Sequence, residues 1–228
     1  SLNNTLICDI IFMCLPTPYD PLIKQYDKTN IMEVCRELKS NNFKGLVVIK
    51  STVEPETTEK IQNKYGLKIV HNPEFLTAST AYEDFKSQKH IVLGYPKTLN
   101  KEVLNILIKF YKTYYPISNL TIVTSTESEL MKLGVNTFYS IKIQYFNELY
   151  CLCQKLDISY ENVKNTMLKN DCINPMHTKV PGTDGKLSYG GMCFPKDTNA
   201  LNQYMIRKNS INKVLNSTIE ERNEMRLD

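Results

Sequence analysis

The hydrophobic and polar positions divide the chain into two regimes. Over residues 1–124, short apolar, β-branched runs alternate with segments of helical period; over residues 125–228 the pattern is helical almost throughout. The run Leu6–Cys14 predicts a buried strand, and Gly45–Ile49, Leu67–Val70, His90–Leu93 and Leu120–Val123 predict four more. Asn30 opens a helical stretch with Ile31, Val34, Cys35 and Leu38 on one face, and Glu33 stands where a capping box places its acid. Thr52-Val53-Glu54-Pro55 leads into a polar helix with the proline near its first turn. Lys101–Tyr114 carries Val103, Leu104, Leu107, Ile108 and Tyr111 on one side. Strands alternating with helices predict an α/β fold with a mostly parallel sheet, whose ligands sit beyond the carboxyl ends of the strands.

Glu127–Leu156 predicts one long helix. Phe138, Ile141, Tyr145, Leu149, Leu152 and Leu156 recur at steps of three and four, and Val135, Tyr139, Phe146, Tyr150 and Cys153 form an adjacent stripe. So broad an apolar surface predicts burial on more than one side, as a core helix or as a dimer interface; the pattern leaves both open. Ser159–Lys169 reads as a short helix capped by Ser159, and Asn170–Lys186 as a loop. Thr198–Lys208 reads as a helix, and Ser210 as the cap of a final one with Ile211, Val214, Leu215, Thr218 and Ile219 on one face.

At 228 residues the chain can bury one large core or two modest ones, and 42% hydrophobic with 23% charged residues is ordinary for a soluble globular protein. The net charge of +4 is spread over many lysines without a dense basic run, which argues against nucleic acid and suits a small anionic ligand. Seven cysteines, several inside apolar runs and with no signal peptide visible, predict reduced thiols in a cytoplasmic setting. Cys151-Leu152-Cys153 has poor zinc-ligand spacing, so no metal is expected, and no apolar run approaches membrane-spanning length.

The densest chemistry lies in Ser188-Tyr189-Gly190-Gly191-Met192-Cys193-Phe194-Pro195-Lys196-Asp197-Thr198. Two glycines allow a close approach of backbone to ligand. Cys193 offers a nucleophile, Lys196 a charge that favours its thiolate, and Asp197 a carboxylate able to orient a water. The plain alternative is a small buried cysteine in a glycine turn. Three further polar clusters directly follow predicted strands: Pro16-Thr17-Pro18, Lys50-Ser51-Thr52 and His71-Asn72-Pro73-Glu74-Phe75-Leu76. Glu74 could act as a general acid or base. Ser51 and Thr52 could contact a ribose or a water, or cap the next helix. Lys132 and Asn136, four apart on the long helix, could together stabilise an oxyanion, or the lysine could simply be solvated.

These stretches resemble the nucleotide-sugar dehydrogenase family, which includes UDP-glucose and GDP-mannose dehydrogenases. Tyr-Gly-Gly-Met-Cys-Phe-Pro-Lys-Asp at 189–197 is similar to its cysteine signature. Pro-Thr-Pro, Lys-Ser-Thr-Val, Asn-Pro-Glu-Phe-Leu and Glu-Leu-Met-Lys-Leu-Gly-Val-Asn at 129–136 resemble its other motifs, in family order. The resemblance implies a partial Rossmann-like NAD domain over 1–124 and a helical dimerisation domain over 125–228. It implies NAD-dependent two-step oxidation of UDP-glucose to UDP-glucuronate, with GDP-mannose as the alternative substrate, in a homodimer joined by the long helix. It assigns Thr17, Ser51, Thr52 and Lys196 to the cofactor. Glu74, Phe75, Leu76, Lys132, Asn136, Tyr189 and Gly190 go to the sugar nucleotide, and Cys193 is the nucleophile. Lys132 and Asn136 are assigned to the oxyanion, Glu74 to proton transfer at the sugar C6, and Asp197 with Thr52 to the hydrolytic water.

The chain departs from the family in several places. It has no Gly-x-Gly-x-x-Gly. The expectation is therefore a chain that begins partway into the cofactor domain and also lacks the family's C-terminal nucleotide domain. Ala78 and Ser79 replace a Glu-Gly pair, and Cys172 stands near the place of an arginine, with an insertion around Asp184-Gly185-Lys186. Two rival readings follow: an inactive paralogue kept as a dimerising or binding module, and a thiol hydrolase pairing Cys193 with His177.

Overall fold

The computed structural model describes residues 6–227. It forms two compact units, one running to Asp20 and from Tyr26 to Lys132, the other comprising Pro21–Gln25 and everything from Leu133 onward. In chain order the strands are β1 (Ile10–Met13), β2 (Tyr19–Asp20), β3 (Gln25–Tyr26), β4 (Leu46–Ile49), β5 (Lys68–His71), β6 (His90–Tyr95) and β7 (Asn119–Thr124). The helices are α1 (Thr29–Ser40), α2 (Thr57–Tyr65), α3 (Ala81–Lys86), α4 (Lys101–Tyr114), α5 (Ser125–Lys155), α6 (Tyr160–Met167), α7 (Phe194–Arg207) and α8 (Lys213–Met225).

The first unit is built on a five-stranded sheet of order β1-β4-β5-β6-β7, with β2 and β3 forming a separate short ladder. Strands β1, β4 and β5 run parallel, as do β6 and β7, and the β5–β6 pairing is antiparallel. The alternation of side chains along a strand sorts the core into two layers. Val47 and Ile49 point to the side where Ile31, Cys35 and Leu38 of α1 and Ile61 of α2 pack. Leu46 and Val48 point to the other, against Leu104, Leu107 and Tyr111 of α4.

Several local expectations are corrected. β1 occupies only Ile10–Met13 of the expected Leu6–Cys14. No capping box forms at α1: Thr29 is already helical, Lys28 takes the N-cap, and Asp27 Oδ1 accepts from Thr29 N at 2.9 Å instead. Pro55 lies outside α2, because Glu56 adopts a left-handed conformation (φ 74°) and the helix starts after it. α7 begins at Phe194, earlier than expected, because a proline is well tolerated in the first turn, where N–H groups have no intrahelical partner. Ser210 caps nothing; its N–H closes the end of α7 on Met205 O at 2.9 Å, and Asn212 precedes α8.

Gly94 on β6 is where α5 docks. A Cβ there would meet Ser125 Cα at 3.0 Å and press into the Ser128 side chain. Gly94→Val is expected to destabilise the chain by about 2–3 kcal/mol through overpacking, read as a lowered urea midpoint. An unchanged midpoint would refute this docking.

In the second unit Phe146 and Cys153 of α5 pack with Tyr160 of α6 and with Val180. α5 is the largest departure from the hydrophobic pattern. Its buried side chains include a polar series: Ser125, Ser128, Glu129, Lys132, Asn136, Ser140, Gln144 and Asn147. Much of the apolar stripe read from the sequence faces outward instead, with Phe138 61% and Leu156 58% exposed, and Tyr145 and Leu152 exposed as well.

Candidate active site

The first unit gathers the strand-end clusters on one edge. Met13, Ile49 and His71, the last residues of β1, β4 and β5, lie in register side by side. The ladder runs one step further through Lys50 N to Met13 O (2.9 Å) and Asn72 N to Ile49 O (2.8 Å). The loops beyond are stapled by hydroxyls. Ser51 Oγ accepts from Leu15 N at 2.9 Å and donates to Leu15 O at 2.6 Å, and Thr17 Oγ1 donates to Thr52 O at 2.7 Å. Ser51 and Thr17 are thus buried in a bracing role. Thr52 is half-buried, and among the described residues no group bonds its hydroxyl.

Beneath this edge lies a polar network that sequence reasoning missed. Asn72 Oδ1 accepts from Lys50 Nζ at 3.0 Å and from Tyr111 Oη, while Asn72 Nδ2 donates to Val92 O at 2.8 Å. Burial pulls the Lys50 ammonium down to about 8, against the opposing attraction of Glu74. His71 is fully buried and held neutral, its value pushed down to about 3 by desolvation, with Nδ1 2.9 Å from Ser128 Oγ. Asn72 thereby anchors the turn that carries Glu74, Phe75 and Leu76. Glu74 is partly exposed and accepts from Leu76 N at 2.8 Å. Phe75 stacks on His90 at 6.0 Å between centroids, and Lys132 Nζ lies 5.2 Å from the centre of the Phe75 ring. Lys132 is only 7% exposed. A lysine that is buried on an aromatic face and has no carboxylate pairing with it among the described residues is suited to an anionic ligand.

Glu129, one turn before Lys132, ties α5 to the first unit's second helix. Its Oε1 accepts from Thr58 N at 2.7 Å and Thr58 Oγ1 at 2.6 Å, so α5 caps the first turn of α2. Burial raises its carboxyl to about 7, partly offset by the Thr58 bonds. A raised acid favours the protonated fold. The stability it lends is complete below about pH 4.5 and is lost as pH rises to about 7, a change of about 3 kcal/mol. Glu129→Gln, neutral throughout, is expected to flatten that decline in urea titrations at pH 5 and 8. Parallel pH dependence in the two proteins would refute it.

The second unit assembles the signature. Cys193 is exposed at the N-cap of α7. Its carbonyl accepts from Asp197 N at 3.0 Å. Asp197 is wholly buried and holds two of the expected partners at once: Lys196 Nζ at 2.6 Å on Oδ1 and Asn136 Nδ2 at 2.5 Å on Oδ2. Tyr189 is buried, and burial raises its phenol. Ser188, at φ 58°, takes a bond from each of two α5 residues: its N–H donates to Asn147 Oδ1 at 2.9 Å and its hydroxyl to Gln144 Oε1 at 2.5 Å. From α8, Arg222 Nε reaches Tyr189 O at 3.3 Å, and a Cβ on Gly190 would strike the Arg226 guanidinium, 2.9 Å from one nitrogen. Gly190 therefore makes room for an arginine of its own chain. Gln144, Asn147, Arg222 and Arg226 were missed, although each continues a three-and-four spacing visible in the sequence.

His177 packs its ring against Tyr139 (4.7 Å) and Phe194 (5.5 Å), and no hydrogen bond joins it to Cys193 among the described residues. Burial lowers its value. Among the described residues no cluster of three His, Cys, Asp or Glu side chains could hold a metal, and no helix is long and apolar enough to cross a membrane.

Comparison with known proteins assigns both regions. Residues 3–115 match the UDP-glucose/GDP-mannose dehydrogenase family, NAD binding domain, and residues 126–225 match that family's central domain. A UDP-glucose 6-dehydrogenase of Rickettsia bellii is 35% identical, over 98% of this chain and 50% of its own length. That of Campylobacter jejuni is 30% identical, over 94% of this chain and 53% of its own. The solved UDP-glucose dehydrogenase of Pyrobaculum islandicum superposes with a TM-score of 0.80 at 27% identity, covering 96% of this chain and 52% of that one. The chain thus spans about half the length of the curated relatives it matches.

Proposed function

Because this chain belongs to the UDP-glucose/GDP-mannose dehydrogenase family, whose cofactor is NAD, we propose that it carries the reacting groups for oxidising the primary alcohol of a sugar nucleotide to a carboxylate, with UDP-glucose as substrate. The observation that carries this reading is the cluster of Asn136, Asp197 and Lys196, the last two in the first turn of the helix that Cys193 N-caps. An acid and a cation on the helical turn that follows an exposed thiol, with an amide bonded to the acid, suit acyl chemistry.

The strand-end edge supports NAD at its nicotinamide and ribose end. Thr52 presents a hydroxyl there, and the Thr17 and Ser51 bonds hold the two loops in shape. The sequence contains no Gly-x-Gly-x-x-Gly turn for the pyrophosphate. NAD, when bound, accepts the hydrides. The remaining chemistry belongs to the chain. The C6 alcohol gives up a hydride and its hydroxyl proton to become the aldehyde, the Cys193 sulfur adds to that aldehyde, and the resulting thiohemiacetal loses hydride and its hydroxyl proton to become a thioester. Water then adds, the C–S bond breaks, and the carboxylate leaves as the thiolate is restored. Glu74 exchanges the proton at C6. Lys132 and Asn136 stabilise the oxyanion, and the N–H groups opening α7 favour negative charge beside Cys193. Asp197 orients the water.

Exposed Phe138, Tyr145 and Leu152 on α5, with Leu156 just after it, support a homodimer formed through that face. The seven free cysteines are in keeping with a reducing, cytoplasmic setting. Calorimetry of the 228-residue chain with NAD, then with UDP-glucose, tests the assignment. Heat of binding for both, with UDP-glucuronate formed, is the expected result. A folded chain that binds neither would overturn it in favour of a dimerising module, and preferential turnover of GDP-mannose would change the substrate.

A further inference from the structure

The cysteine loop is held from below by a helix to which nothing in the signature points. Arg226, at the end of α8, is almost wholly buried, and its side chain serves three groups of the loop. Nη1 donates to Leu187 O and to Ser188 O, each at 3.3 Å, and Nη2 pairs with Asp184 Oδ2 at 2.6 Å. Its guanidinium lies against Gly190, where any Cβ would displace it. One turn earlier, Arg222 Nε binds Tyr189 O at 3.3 Å. The carbonyls of Leu187, Ser188 and Tyr189 are therefore all taken by these two arginines.

The backbone they hold is one that relaxes easily. Ser188 and Gly191 both adopt left-handed φ values, 58° and 78°, and for a serine that conformation persists only where surrounding contacts impose it. The chain passes directly from Gly191 through Met192 to Cys193 at the start of α7. Asp184 comes from the tight turn at 182–186, closed by Gly182 N to Lys186 O at 2.9 Å. That turn supplies the anion that pairs with Arg226.

We infer that Arg226, seconded by Arg222 and locked by Asp184, is the positioning group that sets the Ser188–Cys193 turn and so the placement of the Cys193 sulfur. The inference rests on reading Cys193 as the nucleophile, yet its test needs no turnover. Guanidinium geometry matters here, because a lysine keeps the charge but cannot span carbonyls and a carboxylate at once.

The test is hydrogen exchange by mass spectrometry together with peptide-resolved iodoacetamide labelling, on the wild-type chain and on Arg226→Lys, Asp184→Asn and Asp184→Glu. Arg226→Lys and Asp184→Asn are expected to speed exchange of the 187–193 amides about tenfold, with α6 unaffected. They are also expected to change Cys193 labelling about threefold or more relative to Cys172, an exposed cysteine elsewhere in the same unit. Asp184→Glu should restore both readouts. Wild-type exchange and labelling in Asp184→Asn would overturn the inference, as would loosening spread evenly over the unit. Should Arg226→Lys fail to fold, Asp184→Asn decides alone, since its side chain is 45% exposed in a loop. Failure of the nucleophile assignment is seen separately, as acid formation by Cys193→Ser.

Discussion

Cys193→Ser is expected to cut carboxylate formation by about a thousandfold or more while leaving thermal stability unchanged. The two halves of that expectation have different origins. Cys193 is exposed at a helix N-cap, where serine is a favoured residue, so the fold loses nothing. The chemistry loses its thioester, because a serine hydroxyl is a far weaker nucleophile than a thiolate and, among the described residues, no histidine hydrogen-bonds position 193. The measurement is product analysis of the reaction mixture with a trap for aldehyde. Aldehyde without acid supports the covalent route; acid at the wild-type rate removes it.

Asp197→Ala is expected to act on both stability and reaction. Asp197 is fully buried, and truncating it removes the acceptor of the Asn136 amide and the carboxylate that pairs with Lys196, a loss of about 3 kcal/mol. Asp197→Asn separates the two effects. It preserves an acceptor for Asn136 and most of the packing, but it cannot take a proton from water. Hydrolysis of the acyl-enzyme should slow about a hundredfold in that variant, with the Cys193 adduct accumulating and visible by intact mass. No adduct together with wild-type acid formation would show that another group activates the water.

The strands were legible because β-branched runs bounded by turns leave few alternatives, and the motif clusters were legible because each directly follows a strand. What escaped has physical reasons. The antiparallel pairing of β5 with β6 is not written in either strand, since both are apolar on both faces whichever way they run. α3 offered no buried residue to mark it. On α5 the apolar stripe was legible, with a core or a partner's face left open, but the buried polar series was not, because periodicity reads polar residues as solvent-facing. Here Asn136, Gln144 and Asn147 are buried to serve Asp197 and Ser188, and Phe138 and Tyr145 face out. The spacing of those polar residues was as regular as that of the apolar ones. Arg222 and Arg226 escaped for the same reason: they continue the stripe of Leu215, Thr218 and Ile219, but as charges they read as its solvent-facing end.

The buried polar face of α5 also makes residue count a functional quantity. Substituting any one of Asn136, Gln144 or Asn147 removes a bond or two and leaves the rest aligned. Inserting a single residue between Asn136 and Gln144 would turn everything downstream by about 100° and advance it by about 1.5 Å. Ser188 would lose both of its α5 partners while Asp197 kept its own, and the outward apolar residues would swing toward the space the amides had left. In this segment the length of the chain is held as tightly as its letters, so the spacing of its amides carries as much information as their identity.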